Sequence, residues 1–436
     1  MFTFGQINNY LQFIKKITSK ELFKVTSLNS ISVLIKIGVG FVSSKIIAVF
    51  IGPSGMAIVG NFRNFITSIE SISTLGLQNG IVKYVAEFEE EQLRLKKTIS
   101  TIVFCLLIAT FLVSIILLLF SDFLNSMVFG ASNKYQTIFK ILAFCLPWYI
   151  ASLVITAILN GFGAFKKVIT ISIIGNVIGL LLTIILITNF KIFGALLAMV
   201  LAPTLLFLVS FLYSNRKIKT ISFNKEFIDF KIIKNLSEYS LMALVSAIIG
   251  PFVYLMIRNH IINTIGINEA GYWEGLSRIA SYYFVFLSTI IGLYYLPKMA
   301  KAKLNKESNH LIWSYYRNIL PIFIFGLLMI YALKDYIIPL IFTKEFLPIK
   351  ELMFWQLLGD VFKAISLILG YQFFAKKLTL AFIISEAFSL LVLYFSSIYF
   401  INHYNIKGVV IAHCFTFFVY CLVLFIYFRK KVFTLR

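Results

Sequence analysis

Apolar runs of about twenty residues recur along the whole chain, parted by short basic gaps, and that rhythm fixes the kind of molecule it makes. A run of this length crosses the ~30 Å hydrocarbon layer of a bilayer as a helix. With 60% of 436 residues hydrophobic and 13% charged, a soluble domain has no interior large enough to hide so much apolar surface. Measured against a bilayer, the sequence predicts an all-α polytopic membrane protein. Its twelve expected crossings lie at about 26–51, 57–83, 98–120, 137–160, 168–189, 192–213, 238–264, 270–296, 312–333, 349–374, 378–401 and 407–428. Before them, Phe4 to Ser19 alternates apolar residues with Lys15 and Lys16, the pattern of an interfacial amphipathic helix. The first strongly apolar stretch is too long for a cleavable signal peptide.

A formal net charge of +22 raises nucleic acid as a partner. The basic residues lie mostly in the gaps, however, where they set orientation instead. Gaps alternating along the chain place twenty-six Lys and Arg on one side, among them Lys96, Lys97, Arg216, Lys217, Lys376 and Lys377. Six lie on the other side: Lys134, Lys191, Lys334, Lys344, Lys350 and Lys407. The bias puts both termini in the cytoplasm and supports an even number of crossings. The longest polar gap divides the crossings six and six, giving an N-terminal lobe of 1–215, a cytoplasmic linker of 216–236 and a C-terminal lobe of 237–436. Gly60-Asn61-Phe62-Arg63 is echoed by Gly275-Leu276-Ser277-Arg278, and Lys83 by Lys298, at one offset of 215 residues. Such an echo points to parallel repeats.

Charges inside the expected crossings carry the functional signal. An ionised side chain near the bilayer centre costs at least ~2.5–3.5 kcal/mol, so such groups face a cavity or one another. Lys36 and Lys45 share the first crossing, on opposite faces and ~13 Å apart along its axis. Lys36 points to a cavity; for Lys45, snorkelling to the interface is an equal reading. Arg63 and Glu70 share one face of the second crossing at ~10 Å axial spacing. Arg63 has the planar fork that suits phosphate oxygens, or it joins a neighbouring helix in a salt bridge. Glu70 is a counter-charge or a proton site. Arg258 reaches either a ligand or the outer headgroups. Glu274 and Arg278, at i,i+4, read as a mutual salt bridge, and Asp360 and Lys363, at i,i+3, are also placed to pair. Glu386 is the remaining acid within a crossing, and His413 reads as a satisfied core residue.

With the three outermost positions at each end left aside, eight basic residues within crossings against four acids point to an anionic cargo. They disfavour the alternative, a cation-coupled multidrug or small-solute exporter, which needs buried acids. No catalytic constellation is present and the outward gaps are short, so a transporter is expected over an enzyme. Cys105, Cys145, Cys414 and Cys421 all fall in apolar segments without CxxC spacing, which disfavours disulfides and a metal site. Pro147, Pro203, Pro251 and Pro321 read as kinks within crossings.

Several segments resemble Wzx-type polysaccharide flippases, the O-antigen and enterobacterial common antigen branch above all. In the first half these are Lys36-Ile37-Gly38-Val39-Gly40, Lys45, Gly52-Pro53-Ser54-Gly55, Asn61-Phe62-Arg63 and Lys83-Tyr84-Val85-Ala86. In the second half they are Met242-Ala243-Leu244, Arg258-Asn259, Gly271-Tyr272-Trp273-Glu274-Gly275, Leu296-Pro297, Gly359-Asp360-Val361, Lys363, Gly370-Tyr371 and Glu386. The resemblance implies the multidrug/oligosaccharidyl-lipid/polysaccharide exporter fold: two six-helix lobes around a central cationic cavity, working by alternating access. It implies an undecaprenyl-diphosphate-linked oligosaccharide as substrate, moved from the cytoplasmic to the periplasmic leaflet of the bacterial inner membrane during O-antigen-type, lipopolysaccharide-related synthesis. Membrane lipids and the polysaccharide polymerase machinery are the implied partners. The coupling ion, if one is used, is H+ or Na+, and no other cofactor is expected.

On this reading Lys36, Lys45, Arg63 and Arg258 bind substrate, while Glu70, Lys83, Asp360, Lys363 and Glu386 gate or couple to an ion. Arg278 departs from the family pattern and is set aside.

Overall fold

A computed structural model describes residues 20–130, 133–214, 230–302 and 305–432. The amphipathic segment expected at 4–19 and most of the expected linker lie outside the described residues. Every regular element among those described is helical. The chain opens with α1 (Lys20–Ser73), 54 residues long. A straight helix of that length would run ~80 Å, far more than a bilayer. It is instead two arms joined at Gly52, whose φ of 63° and ψ of −166° break the helix just before Pro53.

There follow α2 (Gln78–Glu87), α3 (Gln92–Leu119), α4 (Ser121–Phe129) and α5 (Gln136–Gly161). Next comes α6 (Phe165–Leu212), broken at Lys191 with φ 52°. There the chain reverses so tightly that a Cβ on Gly194 would lie 1.9 Å from the Leu186 carbonyl oxygen. Only glycine fits such a corner.

The second half comprises α7 (Phe230–Thr264), α8 (Ile267–Ile290), α9 (Leu296–Lys301), α10 (Asn305–Asn318), α11 (Leu320–Ala332) and α12 (Lys334–Ile341). It closes with α13 (Ile349–Ala375), α14 (Thr379–Tyr404) and α15 (Ile406–Val432). Between α8 and α9 a π-helical turn occupies Ile291–Tyr295.

Nine helices among those described are long and apolar enough to cross a membrane. Two of them contain the two-armed α1 and α6, and α8, bearing Glu269, Glu274 and Arg278, is too polar to qualify. The helices therefore do not count off the twelve expected crossings one for one. The expected crossing at 57–83 is interrupted where Leu75 and Gly76 adopt positive φ. That at 312–333 divides between α10 and α11, and Pro321 opens α11 instead of kinking a helix, a position where its missing N–H leaves no bond unmade.

Buried side chains from both halves join in one core. Met56, Phe62 and Leu146 share it with Trp273, Phe342 and Phe373. A close seam lies between α1 and α8. A Cβ on Gly271 would fall 1.9 Å from the Pro53 carbonyl oxygen, so glycine there lets α8 rest on the corner of α1. That approach brings the charged residues of the two halves together.

Candidate functional site

A cavity of about 400 Å³ lies between the halves, lined by Arg63 and Asn64 of α1, Arg258 of α7, Trp273 and Ser277 of α8, Asp360 and Lys363 of α13, and His413 of α15. Two buried charged clusters form its walls.

Glu274 is the hub of the first. Its carboxylate is 0% exposed and receives three guanidinium groups. Arg63 grips it with both arms of its fork, Nη1 to Oε1 at 3.0 Å and Nη2 to Oε2 at 3.2 Å. Arg258 Nη2 donates to Oε2 at 2.7 Å, and Arg278 Nε to Oε1 at 3.0 Å. Gly60 makes the room: a Cβ there would lie 2.5 Å from Glu274 Oε2. Around this centre Arg258 Nη1 donates to Asn61 Oδ1 at 3.1 Å and its guanidinium lies 5.2 Å from the Trp273 ring centroid. Asn61 donates to the carbonyl of Val128 and to Asn259, which itself donates to the carbonyl of Met127. Arg278 reaches Ser44, which is bonded to Tyr282.

Three cations against one anion leave the cluster with a surplus of two positive charges. Arg63 keeps 37% of its side chain exposed, while Arg258 keeps 1%. Arg258 Nε is buried with no hydrogen-bond partner. The cluster can therefore offer further donors to an anion arriving through the cavity.

Asp360 is the hub of the second cluster. Oδ1 is 2.9 Å from His413 Nε2, and Oδ2 accepts from Gln356 Nε2 at 3.1 Å and from the hydroxyl of Tyr283. The expected i,i+3 pairing of Asp360 with Lys363 gives way to this arrangement. Lys363 lies instead over two aromatic rings, 4.6 Å from Phe284 and 5.0 Å from Phe417, and within electrostatic reach of Asp360 and Glu386.

Of the residues expected to bind substrate, the structure brings together Arg63 and Arg258. Lys45 and Lys36 are not on the cavity wall. Lys45 donates to the carbonyls of Pro339 and Phe342 at the end of α12, where helix carbonyls favour a cation. Lys36 is exposed on the first arm of α1. Among the expected gating residues, Glu70 accepts from Tyr149 at 2.6 Å and Gln78 at 3.0 Å, bonds within the first half. Lys83 lies 4.8 Å from the Tyr84 ring, on α2. Glu386 is half-buried on α14.

Sequence reasoning missed Glu274 as a shared anchor, Asn61, and His413 as the partner of Asp360. It also set aside Arg278, which belongs to the first cluster. One signal was available: Arg63 and Arg278 are the matched positions of the 215-residue echo, and both bind Glu274.

The model of a family described as polysaccharide biosynthesis protein matches residues 22–303. The chain belongs to the polysaccharide biosynthesis protein family. Among the relatives of this family member, the lipid III flippase of Escherichia coli (strain K12) is 26% identical over 415 residues, covering 94% of this chain and 100% of the relative. Two solved structures share the fold. An inward-facing multidrug resistance MATE family transporter of the MOP superfamily superposes with a TM-score of 0.75 at 15% identity, over 91% of this chain and 94% of its own. The lipid II flippase MurJ in an inward closed conformation gives 0.73 at 14% identity, over 94% and 89%. These relatives are flippases and transporters, not enzymes, and this family member is a multi-pass membrane protein that shares the fold of the two solved structures.

Proposed function

We propose that the protein is a flippase that carries an undecaprenyl-diphosphate-linked oligosaccharide repeat from the cytoplasmic to the periplasmic leaflet of the bacterial inner membrane, by alternating access between lobes 1–215 and 237–436. The observation that carries this reading is the cationic surplus around Glu274 on the cavity wall. A diphosphate is held in one leaflet by its hydration. Guanidinium groups already buried and oriented replace that water, and their fork geometry matches phosphate oxygens. Glu274 occupies the place of such an anion. Phosphate oxygens entering the cavity compete with its carboxylate, first for the half-exposed Arg63 and then for Arg258 and Arg278. Because Arg63 belongs to one half and Glu274 to the other, the exchange loosens the seam between them.

The lipid has a complementary path. An apolar groove of about 770 Å³ lies between the first arm of α1, α8, α11 and α12, with Lys45 at its edge. Tyr282 and Phe286 of α8 face this groove, whereas Ser277 and Ser281 face the cavity. A prenyl chain would lie on one face of α8 while its polar head lies on the other. A cationic cargo fits less well, since Asp360, the buried acid on the cavity wall, is already bonded to His413, Gln356 and Tyr283.

Reconstitution tests the reading. Purified protein is placed in liposomes with fluorescent undecaprenyl-diphosphate saccharide, and the fraction protected from an external reductant is followed. Protein-dependent movement between leaflets is expected, and it falls at least about tenfold when Arg63 and Arg258 are both neutralised, about 1.4 kcal/mol of lost stabilisation. Unchanged flipping in the double variant would sink the anion site.

A further inference from the structure

The second charged cluster has no task in holding an anion. We infer that Asp360 and His413 form a binding site for a proton, and that its occupancy sets how firmly the second half holds α8.

The atoms call for this. Two lone pairs do not face one another at 2.9 Å, so a hydrogen lies between Asp360 Oδ1 and His413 Nε2, on one atom or the other. Oδ2 is committed as an acceptor, from Gln356 Nε2 at 3.1 Å and from the hydroxyl of Tyr283. A further proton arriving on Oδ2 makes that oxygen a donor facing two donors. Gln356, whose Nε2 also lies 3.2 Å from His413 Nε2, stands one turn away on the same helix and can answer by turning its amide oxygen inward, where it accepts from Oδ2 and from a protonated His413 Nε2. Tyr283 belongs to α8, so its hydroxyl must rotate or withdraw, and the bond that ties α8 to α13 as a donor to a carboxylate is lost. The π-helical turn at Ile291–Tyr295, eight residues beyond Tyr283, gives α8 a place to yield.

Access and surroundings agree. Gln356, Asp360 and His413 all line the cavity, so protons reach the pair by the route the cargo would take. Tyr283 faces it from α8, Tyr254 from α7, Lys363 from α13, and Cys414 from α15 beside His413; Glu386 of α14 faces Lys363. The Lys363 cation opposes an added proton and the Glu386 carboxylate offsets it. Sodium is a poorer occupant. Both oxygens of Asp360 already accept from N–H or O–H groups, and among the described residues no third His, Cys, Asp or Glu completes a cation site.

The link to transport rests on the flippase reading; the proton site does not. The experiment therefore has two arms. In the first, hydrogen exchange of the full-length protein is followed in nanodiscs without substrate. After correction for the intrinsic rate, peptides spanning 267–290 are expected to exchange about fivefold faster at about pH 5.5 than at about pH 8. His413→Gln and Asp360→Asn should flatten that dependence, and so should Tyr283→Phe, which spares the pair and cuts only its tie to α8. A flat profile in the wild type, or an undiminished one in all three variants, overturns the proposal.

In the second arm, flipping is compared with and without a pH gradient. The ratio of the two rates should fall to unity in His413→Gln. Lipid that never moves while α8 still titrates refutes the flippase reading alone. Lipid that moves while the α8 profile stays flat refutes the proton site alone.

Discussion

The two buried clusters on the cavity wall differ in what their charges can do. Around Glu274 stand three guanidinium groups, which stay charged at any physiological pH, and they come from both halves of the molecule. Around Asp360 stand an imidazole, an amide and a phenol, all from the second half. On the readings proposed above, the first cluster trades one anion for another and the second takes up a proton. Finding both on one cavity teaches that a buried charge must be classed by its partners before its own type says anything about its use.

That contrast is most directly broken at its hub. Glu274→Gln removes the one negative charge among three arginines, and breaking a buried ion pair costs about 3–5 kcal/mol. Thermal unfolding in detergent should show a large loss, and pyrophosphate should restore more of it than chloride of equal ionic strength. A variant as stable as the wild type would mean that the carboxylate does not organise the cluster. Next in size is Gly271→Ala, whose added Cβ would meet the Pro53 carbonyl oxygen at 1.9 Å. Forcing α8 off the corner of α1 should cost about 1–3 kcal/mol of stability, as overpacking does; an unchanged unfolding temperature would show that the seam is looser than described.

Arg63→Lys sharpens the contrast within the first cluster. It keeps the charge and loses the fork, so flipping should drop by about tenfold while stability changes little, because the side chain is 37% exposed. Full activity would mean that charge alone suffices. The smallest effect is expected far from both clusters. Lys350, in the first turn of α13, lies 2.6 Å from Asp335 of α12 and holds its carboxyl below the usual carboxylate range. A lowered value means that any stability from the pair is present at neutral pH and fades as pH falls through it. Asp335 is exposed and belongs to neither buried cluster, so Asp335→Asn should leave flipping and its pH profile at wild-type levels.

The fold was legible because bilayer thickness is a ruler that any apolar run can be laid against. The corners of α1 and α6 fell where the sequence placed gaps, at Gly52 and Lys191. Arg63, Arg258, Asp360 and Lys363 stood out for an equally simple reason: each is a charge in an apolar segment. Their partners did not. Arg63 and Glu274 are 211 positions apart, and an i,i+4 neighbour, Arg278, gave Glu274 a sufficient local explanation. His413 looked satisfied because a lone histidine usually is, and it is satisfied, by a carboxylate 53 positions away. Lys45 was visible as a charge, but its acceptors are backbone carbonyls at the end of α12, which leave no mark on a sequence.

The polarity of α8 has a consequence for how the chain is made. Glu274 and Arg278 would each resist entry into lipid by something on the order of 2–3 kcal/mol if α8 arrived alone. Both other arginines that neutralise Glu274, on α1 and α7, leave the ribosome before it does. On that order of synthesis, α8 is expected to insert only once α1 and α7 are in place to supply its counter-charges.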